Sequence, residues 1–172
     1  MHDARLIFED GKAFKGRLFT ESPQTEDVTA EVVFNTAMTG YQEVLTDPSY
    51  YGQMVTLTYP LVGNYGINTT DNESDRIHLS ALIIKEYCPV PSNWQSERSL
   101  KDFLEEQSVI GLEQVDTRAI TKHVRESGSK LAIITTSTDS VESILGRIDP
   151  KKRLEGRNCV QEVTRKEKEI RE

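Results

Sequence analysis

An α/β domain of mixed sheets is what this sequence predicts, on three observations. The chain opens with two alternating runs around Asp10-Gly11, the mark of an antiparallel hairpin. It then alternates strand-like and helix-like patterns as far as Pro150, which argues for late parallel strands. With 172 residues, 36% of them hydrophobic, it suits one domain with a true core, burying roughly 70% of its unfolded surface.

The elements follow in order. Arg5 to Glu9 and Lys12 to Phe19 flank Asp10-Gly11, and a two-residue turn there needs positive φ at both positions. Leu6 and Phe8 share a face of the first run; Phe14, Gly16 and Leu18 share one of the second. Glu21 to Asp27, with Pro23, is a polar loop. Glu31 to Thr36 is β-branched and aromatic, hence a strand. Met54 to Tyr59 puts Val55, Leu57 and Tyr59 on one side and Met54, Thr56 and Thr58 on the other, the pattern of a half-buried strand.

The connection between those two strands is too long for a hairpin turn, and loops of that length are often functional. Within it, Asp47-Pro48-Ser49 is a helix-start signal: Asp47 caps, and Pro48 has no N–H to leave unsatisfied. Ser49 then falls in the first turn, a hydroxyl beside unpaired backbone amides, where a carboxylate or amide ligand can be held. The plainer alternative is that the three residues only close a turn.

Gly63 to Asn68 is a turn segment, and Asn72 to Arg76 is acidic and exposed. Ile77 to Tyr87 is one β-type run, apolar on both faces, as in the middle of a sheet. Pro89 and Pro91 end it. Ser99 to Gln107 is helical, with Ser99 and Asp102 as a capping pair and Leu100, Phe103 and Leu104 as its apolar stripe. Ile110 to Val115 is a short strand. Asp116 caps a helix over Thr117 to Ser127, with Gly128 past its end and His123 on its inner side. Leu131 to Thr136 is a buried strand, and Ser140 to Ile148 a short helix ended by Asp149-Pro150. The folded domain is therefore expected over residues 1–150, with a charged C-terminal tail over 151–172 that packs less well.

The formal net charge of −7, without a basic run, argues against general nucleic-acid binding. Met1 to Asp10 has no apolar stretch of signal-peptide type, and no run approaches the ~20 residues of a membrane helix. Cys88 and Cys159 lie far apart, which suits a reduced, cytoplasmic protein. His2, His78 and His123 are scattered, so no metal site is expected.

Several long segments resemble one family. They are Phe34-Asn35-Thr36-Ala37-Met38-Thr39-Gly40-Tyr41-Gln42-Glu43, Leu45-Thr46-Asp47-Pro48-Ser49-Tyr50, Leu57-Thr58-Tyr59-Pro60 and Gly63-Asn64-Tyr65-Gly66. Pro91-Ser92-Asn93-Trp94 and Asp116-Thr117-Arg118-Ala119-Ile120-Thr121 follow in order, and Gln161-Glu162-Val163-Thr164 resembles the family's exit from this domain. All are similar to the N-terminal domain of the small subunit of glutamine-hydrolysing carbamoyl phosphate synthetase. Departures are modest: Ala37 stands where Ser or Gly is usual, and Thr29-Ala30 replaces a glycine-containing approach to the strand.

The resemblance implies a three-layer swivelling β/β/α fold. It implies a glutaminase domain following in the same subunit, with a Cys-His-Glu triad, and a large subunit that uses bicarbonate, ATP and magnesium to make carbamoyl phosphate for pyrimidine and arginine synthesis. It also implies that Ser49 contacts bound glutamine across the cleft between domains. Neither Cys88 nor Cys159 sits in the Gly-x-Cys-x-Gly elbow such a nucleophile needs. No catalytic residue, cofactor or metal is expected in this chain, and the glutaminase domain is read as lying beyond it.

Two other readings compete. One is a free-standing binding or oligomerisation module. The other is a small hydrolase built on Cys88 or Ser49 with His123. For a domain of a two-subunit assembly an exposed apolar patch is expected, part of it around Tyr41 to Tyr51 and Asn64 to Asn68.

Overall fold

The computed structural model describes residues 2–21 and 27–164. Its strands are β1 (His2–Phe8), β2 (Ala13–Leu18), β3 (Val28–Asn35), β4 (Met54–Leu57), β5 (Leu61–Val62), β6 (Ala81–Ile83), β7 (Glu86–Tyr87), β8 (Ile110–Glu113) and β9 (Lys130–Thr135). Its α-helices are α1 (Tyr41–Thr46), α2 (Leu100–Glu106), α3 (Thr117–Ser127), α4 (Val141–Leu145) and α5 (Val160–Val163). The class is mixed α/β with a sheet-dominated core. Seven strands close into a barrel in the order β1-β2-β8-β6-β4-β3-β9, and β5 and β7 form a separate parallel pair.

The opening hairpin forms, but not with a two-residue turn. Gly11 is the turn residue with positive φ, and Asp10 is not. Gly11 N–H donates to Phe8 O and Phe8 N–H to Lys12 O, which makes a three-residue loop with glycine in the left-handed position.

β3, β4, β6 and β8 run parallel, as the strand–helix alternation predicts. β9 does not: it is antiparallel to both β1 and β3. The helix before it explains this. Ile120 and Val124 of α3 pack into the barrel's interior cluster instead of covering an outer face, so α3 is not the crossover helix of a βαβ unit.

The period-2 alternation sorts side chains between two cores. Leu6, Phe8, Val32, Met54, Ile83 and Leu112 belong to the interior cluster. Val55, Leu57, Leu82 and Ile84 meet α1 and α2 in a second cluster on the outer face. Ile7 and Ile133 meet Ile144 of α4 in a third. Met54–Leu57 is therefore buried on both faces, not half-buried, because a parallel strand flanked by two others and covered by helices has no wet side. The expected run over Ile77 to Tyr87 is also divided. β6 ends at Ile83, and Glu86–Tyr87 joins the small sheet with Leu61–Val62.

Ser99 and Asp102 cap α2 as expected, with Ser99 Oγ accepting from Asp102 N–H at 3.1 Å. Asp116 Oδ1 accepts from Ala119 N–H at 2.9 Å at the start of α3. Residues 22–26 of the polar loop and 165–172 of the charged tail lie outside the described residues.

Candidate functional site

Helix α1 holds the region around Ser49, and the sequence reading passed over it. The signal was present: Tyr41, Val44 and Leu45 stand at helical spacing, and all three are buried. Its start carries no Ser, Thr or Asp cap, which is why the pattern read as loop. The cap comes from elsewhere in the chain. Tyr65 Oη accepts from Gly40 N–H at 2.7 Å and from Tyr41 N–H at 2.9 Å. The two tyrosine rings stack with centroids 4.1 Å apart, and Tyr41 Oη donates to Gly66 O at 2.7 Å. Burial pushes both hydroxyls above the usual tyrosine range, Tyr41 the further, so both stay protonated.

Gln42 ties the far side of α1 to the acidic loop. Its Nε2 donates to Asn68 O at 2.6 Å and Asn72 Oδ1 at 2.7 Å, and its Oε1 accepts from Asn68 N–H at 3.0 Å. Thr46 Oγ1 accepts from Glu73 N–H at 2.9 Å. The helix end, and with it Asp47, is thus fixed from both sides.

Asp47-Pro48-Ser49 starts a 3-10 turn over Pro48–Tyr50, a single turn and not an α-helix. The amides expected to be free are taken. Asp47 Oδ1 accepts from Ser49 N–H at 2.8 Å, and Asp47 O from Tyr50 N–H at 3.1 Å. Asp47 consumes the donors it was expected to leave open, because an Asp side chain reaches its own backbone two residues on. What the turn presents is the exposed Ser49 side chain. Asn35 Nδ2 donates to Tyr50 Oη at 2.9 Å, which anchors the turn to the end of β3.

The histidine contacts do not favour the competing hydrolase. His123 Nε2 lies 3.0 Å from Asp10 Oδ2, whose carboxylate also pairs with Lys130 Nζ at 2.6 Å, and its ring meets Phe8 edge-on. Among the described residues neither Ser49 nor Cys88 bonds to a histidine; Cys88 Sγ donates to Val90 O at 3.3 Å. A serine–histidine contact does exist elsewhere. Ser74 Oγ and His78 Nε2 are 2.9 Å apart, but Ser74 Oγ also donates to Thr46 O at 2.6 Å, and buried His78 Nδ1 has no partner among the described residues. Without an orienting acid on Nδ1 the pair lacks the third member of a nucleophile–base–orienter set. No group of three or more His, Cys, Asp and Glu able to hold a metal ion occurs among the described residues.

Apolar exposure is displaced from the expected window. Tyr41 and Ile67 are buried there, and Tyr50, Tyr51 and Tyr65 half-buried. Apart from Val160 in the C-terminal segment, the exposed large side chains among the described residues stand beside it: Met38 (74%), Val90 (75%) and Trp94 (90%), with Tyr59 and Leu61 less exposed. Their segments lie side by side. Cys88 N–H donates to Val62 O and Ser92 N–H to Asn64 O, both at 2.8 Å, and Tyr65 joins this strip to Gly40. An open depression beside Met38 and Leu61 is lined by Asn35, Met38, Tyr41, Leu57, Tyr59 and Leu61 among others.

The family description "Carbamoyl-phosphate synthase small chain, CPSase domain" matches residues 6–134. This chain belongs to that family. It is 49% identical to the carbamoyl phosphate synthase small chain of Syntrophotalea carbinolica, over 95% of this chain and 43% of that protein. To that of Lawsonia intracellularis it is 50% identical, over 93% and 42%. To that of Clostridium perfringens it is 44% identical, over 96% and 46%. The chain thus spans less than half the length of the curated relatives it matches. An aminopeptidase from Aneurinibacillus sp. strain AM-1 superposes on 78% of this chain and 30% of its own, at 20% identity and a TM-score of 0.42, too low to carry an argument.

In this family member the segments 34–43, 45–50, 63–66 and 91–94 form one neighbourhood, while 116–121 begins α3 at the barrel interior. Residues 34–43 lead from β3 into α1, 45–50 carry the Ser49 turn, and 63–66 supply the tyrosine that caps α1. Asn93 Nδ2 donates to Tyr65 O at 3.4 Å and brings the Trp94 segment alongside. Among the described residues no helix is long and apolar enough to cross a membrane.

Proposed function

We propose that this chain is the non-catalytic N-terminal domain of a carbamoyl phosphate synthetase small subunit, contributing large-subunit contact and one wall of a glutamine site. The observation that carries the reading is the family match over 6–134, with relatives named small chain that are more than twice as long as the matched part. A small chain implies a large one. In this reading the rest of the small subunit supplies the glutaminase, and the large subunit uses ATP and magnesium to make carbamoyl phosphate for pyrimidine and arginine synthesis, in the cytoplasm. The three-layer swivelling arrangement belongs to the same proposal, with the helices over the outer barrel face as the α layer.

Ser49 is the residue assigned to glutamine. Support comes from its place: an exposed hydroxyl on a short turn held by Asp47, Asn35 and α1, so that the side chain is presented with little freedom in its backbone. An exposed hydroxyl with no bonded base beside it among the described residues suits the amino-acid end of a ligand, not bond cleavage. The strip bearing Met38, Leu61, Val90 and Trp94 is assigned to the large subunit, because exposed aromatic and aliphatic groups beside a polar rim are what interfaces use.

The test is steady-state glutaminase kinetics on an intact small subunit carrying this sequence. Ser49→Ala removes one neutral hydrogen bond, worth about 0.5–1.5 kcal/mol, so KM for glutamine rises several-fold while kcat changes less. An unchanged KM removes Ser49 from the site. The 172-residue chain alone is expected to leave glutamine intact, since amide hydrolysis needs an activated nucleophile, a base and an oxyanion hole.

A further inference from the structure

Next to the Ser49 turn, the C-terminal part of the described chain is held to the body by polar contacts and by half-buried Leu154, whose side chain lies beside Gly52. None of residues 151–164 is buried. Arg153 Nη2 donates to Glu9 Oε2 at 2.6 Å, and Leu154 N–H to Oε1 of buried Glu31 at 3.0 Å. Glu162 gathers the remaining ties. Its carboxylate accepts from the Tyr51 hydroxyl and faces Arg157 Nη2 at 3.4 Å, while its backbone carbonyl accepts from Arg76 Nη2 at 3.0 Å.

Tyr51 closes the turn that carries Ser49: its N–H donates to Pro48 O at 3.1 Å. The same residue therefore finishes the Ser49 turn with its backbone and reaches the C-terminal segment with its side chain. Gly52 N–H is held by His78 O at 2.9 Å just beyond it. The Tyr51 hydroxyl holds the Glu162 carboxyl below the usual carboxylate range, with Arg157 adding to this. Glu162 in turn raises Tyr51 above its ordinary value. A phenol donating to a carboxylate is a charge-assisted contact, stronger than its neutral counterpart.

We propose that Tyr51 and Glu162 are positioning residues, a clasp that sets the Ser49 turn in register with the C-terminal segment. Whatever follows Thr164 in a longer protein is then linked to the turn through the Tyr51–Glu162 contact, and the two move together. The consequence for glutamine rests on the role proposed for Ser49; the clasp itself does not.

Hydrogen exchange on the 172-residue chain tests the clasp directly. In Tyr51→Phe, and separately in Glu162→Ala, amides at 49–53 and 160–164 should both exchange several-fold faster, with Leu131 to Thr135 unchanged. The double variant should add little to either single one, and Glu162→Gln, which keeps an acceptor for the phenol, should restore most of the protection. Acceleration of only one of the two segments would mean that they are independent and would overturn the proposal, as would Tyr51→Phe leaving both unmoved.

In an intact small subunit, Tyr51→Phe should raise KM for glutamine and spare kcat, and should add nothing to Ser49→Ala. The two readings fail separately. If Ser49→Ala leaves KM unchanged, the glutamine role is lost while the exchange result stands. Unchanged exchange removes the clasp whatever the kinetics of Ser49→Ala.

Discussion

Two side chains near the Ser49 turn carry measurable consequences. Tyr65 Oη is the acceptor for two N–H groups at the start of α1, so Tyr65→Phe leaves both donors without it. Tyr65→Phe gives up two part-buried bonds and Tyr41→Phe one, to Gly66 O, each bond worth about 0.5–1.5 kcal/mol. Urea unfolding should rank Tyr65→Phe as the worse of the two, and the reverse order would remove Tyr65 as the helix cap. His78 supplies a pH effect. Burial first, then Arg76, lowers its pKa from 6.5, so the unfolded chain takes up the proton before the folded one. The stability this gives is complete above pH 6.5 and is lost as pH falls through the lower folded value. Between pH 7.5 and 5.5 the wild type should lose more stability than His78→Gln, and equal losses would show that His78 is not the titrating group.

At the scale of elements, β8 shows how a strand depends on a missing side chain. A Cβ on Gly111 would stand 2.3 Å from the Phe19 ring, which is itself buried and stacked on Tyr87 with centroids 4.6 Å apart. Gly111→Ala must displace that ring, and overpacking of this kind costs about 1–3 kcal/mol; a thermal melt unchanged from wild type would mean the ring has room to move. Elements marked by local chemistry were legible in the sequence. Ser99, Asp116 and Ser140 each cap the helix they precede, because an N-cap bond is made within a few residues. What depends on distant partners was not legible. The cap on α1 comes from Tyr65, the reversal of β9 follows from where α3 packs, and the burial of Met54–Leu57 on both faces follows from α1 and α2. The turn at Asp47-Pro48-Ser49 was legible but its free amides were not, since Asp47 serves its own turn in place of a ligand.

For the whole molecule, the clusters inside and outside the barrel set stability, and the polar stitching of 151–164 sets position. A buried Leu contributes about 1.5–3 kcal/mol, while an exposed ion pair gives about 0–1 kcal/mol. Leu82→Ala should therefore cost about 2–5 kcal/mol in chemical unfolding, and Arg153→Ala, which breaks the contact with Glu9, no more than about 1 kcal/mol. Comparable losses would place the C-terminal segment inside the cooperative core. The same division leaves Met38, Leu61, Val90 and Trp94 outside both main cores and open to a partner. Calorimetric titration of this chain with a cognate large subunit is the most direct test of the proposed role. The account predicts association, weakened at least tenfold in the doubly substituted Leu61→Ser/Trp94→Ser chain. No association of the wild-type chain, or equal affinity of the two chains, would contradict it.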